Sequence, residues 1–377
     1  MFTFPLDCQQ LFDERRRQFA GWGIPRAVVA RVERRVEDAW RDGPGGWCRE
    51  WSVEAGRAEA GGRWLLAAHL HGAACFPVAN TPGRREALRR QVQCFLRAAG
   101  GFPCHFQRLE SAELGPLHLY QPRGADAAPL LCLSGGVDTG KIALHRLAVW
   151  LVRLGGFRVL AADMPGTGEN PQRLTRDADG YYRQLLQGFG GGGRCGMLGV
   201  SFGGYWAAKL ALAGDVAAAV DLGGPLIGVE ELDAGYAAGL PNGMSGIVAH
   251  ALGWTEMPPP DEALAMLRRF SLRRQGWLTP GRGAPLLAVN GEADPYVPAW
   301  ESEVFRAWPQ GEVWRFAGLG HCAAERLPWI LPALSAWLRT HLIGNSAGNR
   351  LALQLARLLL LPRQAPPLSL PMAGGSR

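Results

Sequence analysis

The stretch Gly199-Val200-Ser201-Phe202-Gly203-Gly204 limits what this chain can fold into more than any other. An apolar run, residues 195–198, precedes it, and small and apolar residues follow to about position 213. The pattern predicts a short strand, an abrupt turn and a helix. Glycine on either side of the serine is what permits the turn, because a Cβ there would collide with neighbouring backbone. The turn lifts the Ser201 hydroxyl clear of a sheet and sets it at a helix N-terminus, where free N–H groups can stabilise an oxyanion. Ser201 is therefore the candidate nucleophile.

The surrounding pattern supports a sheet. After Pro103, short apolar runs alternate with helical ones: 106–109, 117–120, 130–133, a helix over 142–154, then 158–162, a helix over 181–186, 195–198, and 216–222. Such alternation implies a mostly parallel sheet covered by helices on both faces, with the first two runs placed for an antiparallel start. The alternation stops between Gly223 and Gly283, where two helix-like pieces (245–252 and 261–270) lie among proline and glycine. An insertion of that size between core strands reads as a lid. Strand and helix resume at 286–290, 301–308, 313–316 and 323–342, and an amphipathic piece, 351–361, is expected to dock on the protein.

Residues before 104 read as helical. Pro25 begins one helix, with Val28, Val32, Val36 and Trp40 recurring along a face, and a second, apolar all round, spans 63–76. Thr81 followed by Pro82 is a helix start, with Leu88, Val92, Phe95 and Leu96 as the buried face. His69 and His71 lie on this apolar background and read as packed or hydrogen-bonded core histidines. The expected organisation is a helical N-terminal cap domain (1–104), an α/β core (105–345) with a lid at about 223–283, and a tail (346–377).

A serine hydroxyl needs a base within hydrogen-bonding reach, itself oriented by a carboxylate. Loops after the carboxyl ends of parallel strands meet on one edge, so the partners are sought there. The strand at 286–290 is followed by Gly291-Glu292-Ala293-Asp294, in which Asp294 is the better acid and Glu292 its rival. The next strand leads into Gly318-Leu319-Gly320-His321, which places His321 at the same edge. His145, inside a helix, and His341, after the last one, fit less well. For the oxyanion hole, the Phe202 N–H is one donor. Ser134-Gly135-Gly136-Val137-Asp138 offers the other, from Gly136 or Val137. Asp138 is unusual beside developing negative charge unless turned away, paired or protonated; it reads either as a cap for a helix near Gly140 or as a substrate contact.

Other chemistries are weaker. The glycines of Asp163-Met164-Pro165-Gly166-Thr167-Gly168-Glu169 are not followed by Lys-Ser/Thr, so they make no phosphate loop, and the glycine run 188–193 lacks the strand-to-helix context of a dinucleotide site. The net charge of +7 is spread along the chain with no basic run longer than Arg15-Arg16-Arg17, which argues against nucleic acid as a partner. The eight cysteines show no metal-ligand spacing and read as free thiols. With no signal-like N-terminus and no apolar stretch long enough for a bilayer, a cytoplasmic chain without membrane partner, metal or cofactor is expected.

On these motifs the chain resembles the α/β-hydrolase superfamily. Within it, the chain is similar to the branch of FrsA-like esterases, 2,6-dihydroxypseudooxynicotine hydrolase and fungal pigment-pathway hydrolases that shorten polyketides. The resemblance rests on Ser134-Gly135-Gly136-Val137-Asp138, Asp163-Met164-Pro165-Gly166-Thr167-Gly168-Glu169, the Ser201 turn, Gly291-Glu292-Ala293-Asp294 and Gly320-His321, and on the helical N-terminal half; it covers about 50–342. It implies an α/β-hydrolase fold with the chain order Ser201, Asp294, His321, a pocket between core and caps, and often a homodimer. It further implies cleavage of an ester or of a C–C bond next to a ketone (a β-dicarbonyl) in a small aromatic or polyketide-like substrate. Residues 1–22 and the tail beyond 343 lie outside it. An acyltransferase using the same acyl-serine is the alternative, and a non-catalytic binding protein on the same fold is a further one.

Overall fold

The computed structural model describes residues 2–124, 127–226, 233–279 and 283–360. Its centre is an eight-stranded sheet in the order β1-β2-β4-β3-β5-β6-β7-β8. The strands are β1 (His105–Leu109), β2 (Leu117–Gln121), β3 (Leu130–Ser134), β4 (Arg158–Ala162), β5 (Cys195–Val200), β6 (Ala218–Leu222), β7 (Leu286–Gly291) and β8 (Gly311–Phe316). β1 and β2 pair antiparallel and β2 meets β4 antiparallel, as the sequence predicted for an antiparallel start; the others run parallel. Every residue of β3 and β6 is buried, as both faces of a parallel sheet require.

Five helices lead into the sheet: α1 (Cys8–Trp22), α2 (Arg26–Glu33), α3 (Trp47–Ala60), α4 (Trp64–Cys75) and α5 (Pro82–Ala98). α4, apolar all round, packs between α3 and α5. Trp47, Trp51, Phe12 and Phe19 are buried and continuous with Leu131, Leu133 and Val159 of the sheet, so these helices cover one of its faces. α6 (His145–Trp150), α12 (Leu327–Leu342) and α13 (Ala347–Leu360) share that side. The opposite face is covered by α7 (Asp179–Phe189) and α8 (Phe202–Ala213), together with part of the insertion after β6. That insertion holds α9 (Ala234–Gly239), α10 (Met244–Ala251) and α11 (Pro260–Arg268); its segments 227–232 and 280–282, and the tail beyond 360, lie outside the described residues.

Several boundaries differ from the sequence reading. α2 stops at Glu33, so Val36 and Trp40 lie beyond it. The helix predicted from 142 begins at His145 after two turns, and 321–326 form a 3₁₀ segment ahead of α12, which contains His341. α9 was not anticipated. Thr81 caps α5 as expected, its hydroxyl accepting from Arg84 N at 3.2 Å. The buried face of α5 is nevertheless Arg84, Ala87, Gln91, Cys94 and Phe95, and Leu96 is exposed. Arg84 can be buried because it donates to the carbonyls of Phe76 and Ala39 and lies over the Trp40 ring. α13 docks on α12 through Leu353 and Leu360, with Arg357 paired to Glu312.

Candidate active site

β5 ends at Val200, and Ser201 takes φ 55°, ψ −130°, a conformation that L-residues rarely adopt. The strain is held by Ser201 N–H donating to Leu222 O (2.8 Å) and by Gly204 N–H donating to Ser201 O (2.7 Å). A Cβ at Gly199 would lie 1.9 Å from Gly203 O, and one at Gly203 would lie 2.6 Å from Ser134 O and Gly135 O. Both glycines of the turn are therefore obligatory.

The structure brings together the residues expected from the sequence. His321 Nε2 lies 2.9 Å from Ser201 Oγ, and His321 Nδ1 lies 2.7 Å from Asp294 Oδ2. With Nδ1 protonated, the Nε2 lone pair faces the serine hydroxyl. Asp294 has its side chain fully buried, and its two oxygens accept from Asn290 Nδ2 (2.8 Å), Tyr296 N–H (2.8 Å) and Val297 N–H (3.2 Å). Burial raises the Asp294 pKa, but His321 and these donors outweigh it and hold the carboxyl below its usual range. Burial likewise works against charge on His321, yet Cys322 and Asp294 outweigh it, and the imidazole pKa lies well above its usual value. The rival acid Glu292 instead faces Arg315, 3.5 Å away.

The loop after β3 closes over the serine. A Cβ at Gly136 would stand 2.8 Å from Ser201 Oγ and 3.2 Å from Phe202 N, so only glycine lets this backbone approach. Phe202 opens α8, where first-turn N–H groups have no acceptor within the helix. Val137, next in the loop, is buried.

Asp138 is not a helix cap, since 140–144 form turns and α6 begins at His145 with no side-chain cap. It is paired instead: Arg15 Nη2 of α1 lies 2.6 Å from its Oδ2, and Thr139 Oγ1 donates to its Oδ1 at 2.9 Å. Val137 and Asp138 also wall a cavity of about 430 Å³, bounded by Phe76 and Val92 near the N-terminal helices, by Thr167 in the loop after β4, and by His250 of α10. That β4 loop is held by Asp163, which accepts from Lys141 N–H (2.7 Å) and Glu169 N–H (2.8 Å) and pairs with Lys141 Nζ (2.6 Å).

Four residues near the site were not singled out from sequence: Glu14, Arg15, Asn290 and Tyr296. Tyr296 sits with its ring 5.1 Å from that of His321 and donates its hydroxyl to Glu14, while Tyr236 of α9 donates to Tyr296 O at 2.6 Å. Asn290 alone carried a readable signal, as a polar residue at the carboxyl end of a buried strand.

His69 is buried near Trp22, and burial pushes its pKa down to about 3. His71 Nε2 lies 2.6 Å from Glu59. Among the described residues, Glu59, His71 and Cys94 bring three potential metal donors within 4.8 Å, and Arg90 already pairs with Glu59. All eight cysteines are free. Among the described residues, no helix is long and apolar enough to cross a membrane.

A family model described as "Esterase FrsA-like" matches residues 39–313. Esterase FrsA of Enterobacter sp. (strain 638) is 27% identical over 288 residues, covering 69% of this chain and 68% of that protein. Esterase FrsA of Yersinia enterocolitica is 28% identical over 287 residues, with the same shares. Among solved structures, wild-type AbyA5 aligns with a TM-score of 0.77 at 22% identity, covering 93% of this chain and 99% of its own. 2,6-Dihydroxy-pseudo-oxynicotine hydrolase aligns at 0.60 and 19% identity, covering 93% and 98%. These two likenesses concern the fold, which is that of the α/β-hydrolases.

Proposed function

From the premise that this chain belongs to the FrsA-like esterase family, we propose that it is a serine hydrolase whose nucleophile, base and orienting acid are Ser201, His321 and Asp294. The observation that supports this reading is the two-sided contact of one imidazole, 2.9 Å to Ser201 Oγ and 2.7 Å to Asp294 Oδ2. Ser201 Oγ attacks the substrate carbonyl carbon as its proton passes to His321 Nε2. The tetrahedral oxyanion is held by the N–H of Phe202 and that of Gly136 or Val137. His321 then gives its proton to the departing group, and water, deprotonated by His321, releases the acid from Ser201.

The proposed substrate is a small-molecule ester whose body extends past Val137 and Asp138 into the cavity between helical cap (1–104), core (105–345) and lid (about 223–283); Ser201 and His321 lie outside the lining of that cavity. Trp22, Phe76 and Val92 in its wall favour an aromatic or polyketide-like body. A β-dicarbonyl substrate would use the same adduct, with the C–C bond breaking and His321 protonating the enolate. The free thiols support a cytoplasmic setting.

The test is fluorophosphonate labelling with peptide mapping, followed by product analysis on p-nitrophenyl esters and an aryl 1,3-diketone, each with and without an alcohol acceptor. Modification confined to Ser201, with free acid as product, is expected. An unmodified Ser201 in folded protein would sink the reading, and an acyl-alcohol product in preference to acid would convert it to acyl transfer.

A further inference from the structure

The three loops brought to the sheet edge come from separate strands, and their mutual spacing must hold to a fraction of an ångström for a proton to pass along them. Asn290 ties two of them together, donating to Asp294 and accepting from Cys322 N–H at 2.9 Å. Helix α1 reaches each one.

The oxyanion loop is held by Arg15 and Gln18. Arg15 is 8% exposed, stacks its guanidinium 4.4 Å above the Phe76 ring, bonds Gln18 Oε1 at 3.1 Å and pairs with Asp138 at 2.6 Å. Gln18 extends a longer contact, 3.5 Å, to Thr139 Oγ1 in the same loop. The acid loop is held by Glu14, which accepts the Tyr296 hydroxyl, while Tyr296 N–H donates to Asp294 Oδ1 at 2.8 Å. The base loop is held by Arg17, paired to Glu325, whose carboxylate accepts the N–H of Gly320 at 3.2 Å, immediately before His321. Glu14 and Gln18 lie one turn apart on α1, with the buried Arg15 to one side and the exposed Arg17 to the other, so a single rigid element contacts all three loops.

We propose that α1 is a positioning element of the active site: Glu14, Arg15, Arg17 and Gln18 set the distances between the oxyanion loop, the acid and the base. The proposal rests on the serine-hydrolase reading above. The family model begins at residue 39, so α1 lies outside the region it matches. A buried pair such as Arg15–Asp138 contributes little net stability after its desolvation cost, so its geometry is better explained by what it aligns.

The experiment compares full-length wild type with Arg15→Ala, Arg15→Lys and Glu14→Gln. The rate of Ser201 labelling by a fluorophosphonate and kcat and KM on p-nitrophenyl butyrate are measured, with circular dichroism and thermal melting as the check on folding. Misalignment by about 1 Å costs on the order of 100-fold, so Arg15→Ala is expected to lower both labelling rate and kcat by roughly 10- to 100-fold while KM moves less than about threefold. Arg15→Lys restores part of the rate, because charge is kept while the fork is lost. A folded Arg15→Ala with labelling within about twofold of wild type overturns the proposal. If that variant does not fold, Glu14→Gln decides: a fall in kcat of several-fold at unchanged melting supports the proposal, and a wild-type rate overturns it. An unlabelled wild type is a different failure, removing the serine-hydrolase reading and the proposal with it.

Discussion

Asn290 Nδ2 donates at 2.8 Å to Asp294 Oδ2, the same oxygen that His321 Nδ1 reaches at 2.7 Å. Asn290 Oδ1 meanwhile accepts from Cys322 N–H at 2.9 Å, so this amide joins the acid loop to the base loop. Hydrogen bonds to charged groups are worth about 1.5–3 kcal/mol, and Asn290→Ala removes one from the acid and frees the backbone beside the base. A fall in kcat on the order of 10- to 100-fold is expected, with substrate binding little changed. Steady-state kinetics on a chromogenic ester check it, and a kcat within twofold of wild type would show that the bridge is dispensable.

The acid limb of the pH–rate profile follows from His321. The proposed attack by Ser201 needs the neutral imidazole; burial works against charge on it, and Cys322 and Asp294 raise its pKa past that effect. kcat/KM of the free enzyme should therefore rise with pH through a midpoint well above the ordinary value of about 6.5. Asp294→Asn removes the attracting charge, so the midpoint moves down while the plateau falls by on the order of 10³- to 10⁴-fold. The same linkage fixes a stability window. The contribution of a raised histidine is fully present below its unfolded pKa and is lost as pH rises through the folded one. A wild-type midpoint at or below the ordinary value would contradict the electrostatics.

Gly136 stands where a methyl group cannot. Gly136→Ala directs a Cβ to 2.8 Å from Ser201 Oγ, inside van der Waals contact, and the loop must shift away from the site it is proposed to complete. Loss of one oxyanion donor costs about 10²- to 10³-fold in kcat, and that range is expected here with folding retained. Fluorophosphonate labelling should slow in parallel, since the phosphonyl oxygen needs the same donors. Labelling at the wild-type rate would remove this loop from the oxyanion site.

Asp221 should make the protein less stable as pH rises. Its carboxyl is buried at the end of β6, and burial raises its pKa to about 8 despite the Gly224 N–H donated at 2.7 Å, with Glu301 adding in the same direction. Between the unfolded pKa of about 4 and that folded value, the unfolded chain gives up a proton that the fold retains, so stability declines across the interval. Asp221→Asn, which can still accept from Gly224, should show little of this decline. Denaturant midpoints measured from pH 4 to 9 check it, and parallel curves for the two proteins would count against a protonated Asp221 in the fold.

What could be read from the chain was what local pattern encodes. Ser201, Asp294 and His321 each follow a buried strand in a loop that contains glycine, so periodicity and turn chemistry point to one edge of the sheet. The residues that tie the site together gave no such signal. Arg15 and Asp138 are 123 positions apart, and Glu14 and Tyr296 are 282 apart. In the sequence Arg15-Arg16-Arg17 is only the longest basic run, with nothing to separate the buried Arg15 from Arg16, which pairs at the surface with Glu33. The face of α5 shows the same limit. Hydrophobicity selected Leu96, which is exposed, over Arg84, because the carbonyls that let an arginine be buried there come from residues elsewhere in the chain.

Ser201 also carries a cost that can be measured apart from catalysis. Its φ of 55° and ψ of −130° lie in a region that favours glycine, and such strain amounts to about 1–3 kcal/mol. Ser201→Ala and Ser201→Gly both delete the hydroxyl, so neither should turn over substrate, and their difference isolates the backbone. Glycine relieves the strain but loses about 0.5–1 kcal/mol through a more flexible unfolded chain. Ser201→Gly should therefore be the more stable variant by about 1 kcal/mol, read as a higher urea midpoint at equal slope. Equal midpoints, or a more stable alanine variant, would mean that the turn is relaxed as it stands. A clear glycine advantage would mean that the fold holds this residue in a strained conformation and thereby aims the hydroxyl at His321.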